Sequence, residues 1–84
     1  MSLELKYYHT ITREPGKGGD AEISRRARVG CRKILVRHDG KIHRYDVPAG
    51  TSLTDVRHAI SDAFRAGCGC VHVGGRGGDF FVEA

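Results

Sequence analysis

The feature that most restricts the fold is the run from Cys31 to Val47, two β-favouring stretches joined by Asp39-Gly40. That dipeptide tolerates positive φ at both central positions of a type I′ turn, whose twist matches that of the strands it joins. With Asp39 and Gly40 as the loop, His38 faces Lys41, Val36 faces His43, Ile34 faces Tyr45 and Arg32 faces Val47. This side is expected to be core. The other side then carries Lys33, Leu35 and Arg37 against Ile42, Arg44 and Asp46, a basic surface with two aliphatic side chains at its centre.

A helix is expected next. Pro48-Ala49-Gly50 breaks the strand, and Ser52 with Asp55 has the spacing of a capping box, with Asp in place of Glu or Gln. Leu53, Val56, Ala59, Ile60, Ala63 and Phe64 recur at helical spacing on one face, and Gly67 is placed to end the element. Residues 31–66 thus form a hairpin-helix unit. Upstream, Leu3, Leu5, Tyr7, His9 and Ile11 alternate with polar neighbours as in a half-buried strand. Residues 13–20 hold Pro15 and three glycines among charged residues and are expected to be a flexible loop. Residues 21–30 carry Arg25, Arg26 and Arg28 in a helical turn or a lead into the next strand. Downstream, Cys70 to Val73 and Phe80 to Val82 suit a last hairpin across Gly74-Gly75-Arg76-Gly77-Gly78.

The expected fold class is α+β, a mixed sheet of four to five strands packed on one α-helix. A chain of 84 residues is expected to form a single small domain, 1–84, because so short a chain cannot divide its buried surface between two cores.

The stretch from Ile34 to Ile60 resembles the ubiquitin-like β-grasp superfamily. The likeness lies in the strand-turn-strand of Ile34 to Val47 with its Gly40-Lys41 corner, the entry Val47-Pro48-Ala49-Gly50-Thr51-Ser52, and the helix start Leu53-Thr54-Asp55-Val56 followed by Ile60. The TGS domains of synthetases and stringent-response GTPases look similar at Asp39-Gly40-Lys41 and Pro48-Ala49-Gly50-Thr51. The resemblance implies a β-grasp-like sheet over about a third of the chain and says little of chemistry. Conjugated members end in a free diglycine, whereas here Gly77-Gly78 runs on to Asp79-Phe80-Phe81-Val82-Glu83-Ala84, so conjugation is not expected.

Catalytic and metal chemistry find little footing. Cys68, Cys70 and His72 alternate, so an extended backbone points them to one face, yet structural zinc sites usually space their cysteines by two residues or more. Core packing of the thiols is the expectation, with no metal and no cofactor. Cys70 and His72 lie ~7 Å apart along one strand face, too far for a Cys-His nucleophile pair. Asp46, Asp55, Asp62 and Asp79 form no recognisable acid/base pair, and Gly74 to Gly78 lacks the Lys-Ser/Thr of a phosphate loop.

Charge points instead to binding. Lys and Arg number 14 against 10 Asp and Glu, a formal net charge of +4 that favours an acidic partner. The expected contact set is Lys33, Leu35, Arg37, Ile42 and Arg44 on the exposed hairpin face, with Arg25, Arg26 and Arg28 beside it and Arg76 in the last loop. Two aliphatics within a charged surround suit an acidic protein or nucleoprotein more than bare nucleic acid. The chain is thus expected to be a non-enzymatic binding module. Direct nucleic-acid binding through the arginines is one alternative. A phage or mobile-element inhibitor of a host defence complex, of the anti-CRISPR kind, is another that fits a small, basic chain lacking catalytic motifs. The N-terminal strand would offer an edge for a homodimer. With no membrane-length apolar run and no signal-peptide pattern at Met1-Ser2-Leu3-Glu4, a cytoplasmic location is expected.

Overall fold

The structure is a computed structural model that describes residues 8–12, 23–65, 67, 69–74 and 79–84, without the side chains of residues 8–12 and 70. It is an α+β arrangement of β1 (Tyr8–Thr12), β2 (Cys31–His38), β3 (Lys41–Pro48), α1 (Leu53–Phe64), β4 (Cys70–Gly74) and β5 (Asp79–Glu83). The strands form one mixed sheet in the order β1-β3-β2-β5-β4.

The β2-β3 hairpin has the register expected from its turn, with Asp39 at φ 52° and Gly40 at φ 73°. Positive φ at both positions is what a type I′ turn requires. β5 lies beside β2 in parallel, Ile34 level with Phe80 and Val36 with Val82, and β4 pairs antiparallel with β5. β1 pairs with β3 but inserts one extra residue between Tyr8 and Thr10, so the strict alternation read from the sequence is broken there. Residues 3–7, and the loop expected at 13–20, lie outside the described residues.

α1 starts at Ser52, whose Oγ accepts the Asp55 backbone N–H at 3.2 Å. It stops at Phe64, and Arg65, not Gly67, takes the left-handed cap position at φ 52°. Val56, Ala59 and Ile60 face the sheet and are buried. Leu53, at 40% exposure, and Ala63 were expected on the same face but are exposed. Both lie near the ends of the twelve-residue helix, whose buried residues all belong to its middle turns.

The core lies between α1 and one sheet face, which we call inner: Ile34, Val36, Tyr45, Val47, Phe80 and Val82 pack with Val56 and Ile60. At its rim the Arg32 guanidinium sits 4.4 Å over the Phe80 ring and donates to the Thr51 carbonyl at 3.3 Å. At the hairpin-tip end, Phe64 meets His38, His43 and Tyr45 at ring separations of 5.0, 5.1 and 6.3 Å. Among the described residues, no helix is long and apolar enough to cross a membrane.

Candidate partner-binding surface on the outer sheet face

The strand registers set out the outer face in rows. Arg44, Leu35, Phe81 and His72 lie level across β3, β2, β5 and β4, and Ile42, Arg37 and Glu83 form the next row towards the hairpin tip. Asp46 and Lys33 are level on the opposite side of the first row, with Asp79 near Lys33.

This face is not the open basic surface expected from the sequence. Arg44 is 0% exposed, Asp46 1% and Leu35 7%. The cause is the segment from Ile23 to Arg28, helical at Ile23 and Ser24 and tied to the outer face as a strap. Arg44 Nη2 donates to the Arg26 carbonyl at 3.0 Å, and Lys33 Nζ donates to the Ile23 carbonyl at 2.7 Å. Asp46 Oδ2 accepts the Arg28 backbone N–H at 3.2 Å, while Oδ1 accepts Arg44 Nε at 3.3 Å. The Arg28 guanidinium stands 3.8 Å from Asp46, and Lys33 Nζ stands 3.7 Å from Asp79. Charges taken out of water need partners, and on this face they find them in the strap's backbone and in one another. Lys33 and Arg44 therefore hold the strap and are not the exposed steering charges that the sequence suggested.

Beside the strap a cleft of about 240 Å³ remains, lined chiefly by Ile23, Leu35, Arg37, Ile42, Phe81 and Glu83. Phe81 is 42% exposed, a large apolar ring left open to solvent in the middle of a sheet row. Arg37 and Glu83 form an exposed pair at 3.9 Å on the rim. Arg25, Arg26 and Arg28 are exposed on the strap. The structure thus gathers Leu35, Arg37 and Ile42 at one cleft and sets three arginines on the adjoining strap. Arg76, and the Gly75 to Gly78 loop, lie outside the described residues.

Phe81, Glu83 and Ile23 were missed from sequence. The signal for Phe81 was there: Phe80 and Phe81 are adjacent in a strand, so one of them must turn away from the core. Its place beside Leu35 depends on the parallel pairing of β5 with β2, which no local pattern announces.

The chemistry elsewhere is sparse. Cys68 and the side chain of Cys70 lie outside the described residues, and His72 is exposed. Cys31 is a free, half-buried thiol. Among the described residues, no group of three or more His, Cys, Asp and Glu is arranged to hold a metal ion. His43 is half-buried beneath Phe64, and its Nδ1 has no hydrogen-bond partner among the described residues. Burial, then the neighbouring His38 and Lys41, lowers its pKa below the usual 6.5. Comparison of the chain with family models, curated proteins and solved structures gave no match.

Proposed function

We propose that this chain is a β-grasp-like binding module, without catalytic activity, that engages an acidic protein or nucleoprotein partner through the outer-face cleft and the arginine strap. The β-grasp reading is supported by the order β3-β2-β5-β4 with its central parallel pair and α1 across the inner face; β1 is an addition at the β3 edge. The observation that carries the binding reading is an apolar cleft centred on Phe81, Leu35 and Ile42, with Arg37 on its rim and Arg25, Arg26 and Arg28 exposed on the adjoining strap. Desolvated aromatic and aliphatic anchors inside a polar rim are the usual make-up of a protein hot spot, and rim cations speed encounter with an acidic surface.

The test is affinity capture from a lysate of cells that make the protein, with and without nuclease. Wild type is compared with Phe81→Asp and with a triple variant, Arg25→Ser, Arg26→Ser and Arg28→Ser. The expected result is a nuclease-resistant protein that both variants lose. Nucleic acid alone, kept by Phe81→Asp, lost by the triple variant and released steeply by salt, would move the function to the strap arginines and reject the cleft. Capture that neither variant changes would reject both surfaces.

A further inference from the structure

The two edges of the sheet differ in how well they are protected. β1 closes one edge and carries the extra residue between Tyr8 and Thr10, an irregularity of the kind that turns an edge away from further pairing. β4 closes the other in unbroken register with β5 from Cys70 to Gly74. Its sequence, Cys70-Val71-His72-Val73-Gly74, contains no Lys, Arg, Asp, Glu or Pro, the residues that usually guard an edge. Among the described residues, no strand pairs with its far side.

We propose that β4 is a self-pairing edge: two copies of the chain join β4 to β4, antiparallel about a two-fold axis at His72, in one continuous sheet. The pattern of the strand suits its own reverse. With the axis at His72, Val71 of each copy falls opposite Val73 of the other, and Cys70 falls opposite Gly74. Val71 and Val73 lie level with the core residues Val82 and Phe80, so both belong to the inner face. Val71 packs against the core, whereas Val73 is 57% exposed, apolar surface that Val71 of the second copy would cover.

Charge separates a second copy from an acidic peptide as the occupant. An acidic strand would gain from cations along the edge, and β4 supplies no Lys or Arg, while two identical strands without Lys, Arg, Asp or Glu bring no fixed like charges together. The sequence suggested the N-terminal strand for self-pairing; the bulge in β1 moves the site to β4. This proposal stands apart from the outer-face reading and survives or fails without it.

Five residues make a short contact, so the dimer is weak and depends on concentration. Sedimentation equilibrium of the full chain under reducing conditions, from about 10 μM to about 1 mM, is expected to show reversible monomer and dimer. Val73→Lys, at an exposed position that leaves the monomer folded by circular dichroism, is expected to weaken the dimer by about tenfold or more. The register is read by cross-linking in a background of Cys31→Ser, Cys68→Ser and Cys70→Ser. His72→Cys is expected to oxidise to a linked dimer, because residues on the axis bring their Cα atoms to about 4.5–5.5 Å, within disulfide range; Val73→Cys is not. A chain that stays monomeric across the range, a dimer indifferent to Val73→Lys, or linkage at Val73→Cys in preference to His72→Cys would overturn the proposal.

Discussion

The two faces of the sheet are both covered, by opposite means. The inner face is sealed by α1 through Val56 and Ile60 against Ile34, Val36, Val47, Phe80 and Val82, apolar surface removed from water without directional bonds. The outer face is covered in part by the strap, whose backbone is held by Arg44, Asp46 and Lys33. The first kind of contact tolerates swaps of similar shape and volume. The second tolerates very little, because losing one partner strands another in a dry place. The difference teaches that a charged row in a strand can be structural, and that the strap leaves only the cleft beside it uncovered on this face.

The largest effect should come from the outer face. Asp46→Ala removes the acceptor of the Arg28 backbone N–H and of Arg44 Nε, in a place where Arg44 is 0% exposed and Asp46 1%. Breaking a buried pair from one side costs about 3–5 kcal/mol, read as a lower urea midpoint at unchanged slope. A loss below about 1 kcal/mol would show that the strap does not bury this pair in solution and would end the contrast. On the inner face, Ile60→Ala should cost about 3 kcal/mol through lost burial and a residual cavity, whereas Ile60→Leu should cost less than about 1.5 kcal/mol. An equally severe Ile60→Leu would mean that the inner face is as exacting as the outer.

A smaller effect is expected at the hairpin-tip end of the inner face. Because burial, His38 and Lys41 lower the His43 pKa, the native protein binds fewer protons at this site than the unfolded chain does below about pH 6.5. His43 therefore contributes fully above that pH, and stability falls as the pH drops from about 6.5 towards the lowered native value. Urea melts at stepped pH should show this slope in wild type and a flatter one in His43→Gln. Equal slopes would place the acid sensitivity elsewhere.

The part of the inner face built by the β2-β3 hairpin and the middle of α1 was legible in the sequence because its signals are local, whereas Phe80 and Val82 join it through the non-local β2-β5 pairing. Asp39-Gly40 sets the turn and so the register, alternation sets which side is apolar, and Ser52 with the spacing of Val56, Ala59 and Ile60 sets the helix. The outer face was half legible. Alternation put Lys33, Leu35, Arg37, Ile42 and Arg44 together on one side, as they are, but charged side chains normally belong at the surface, and that expectation misplaced Lys33 and Arg44. What buries Arg44 and half-buries Lys33 is a strap fixed by side-chain bonds to its carbonyls and N–H groups, and such bonds leave no period in the sequence. Phe81 was hidden for a different reason. Its neighbour Leu35 is far away in the chain, and only the parallel β2-β5 pairing joins them.

The smallest effect is expected at the rim of the outer-face cleft. Arg37 and Glu83 are 3.9 Å apart, with side chains 69% and 63% exposed, so water and salt screen the pair and ordering two mobile side chains offsets what attraction remains. Arg37→Gln should change stability by less than about 0.5 kcal/mol, in contrast to Asp46→Ala on the same face. If so, the cleft rim contributes little to the fold, and Arg37 can part from Glu83 at small cost to the domain. A loss of several kcal/mol from Arg37→Gln would instead make the rim part of the scaffold, and the surface available for binding would shrink to Phe81, Ile42 and the strap.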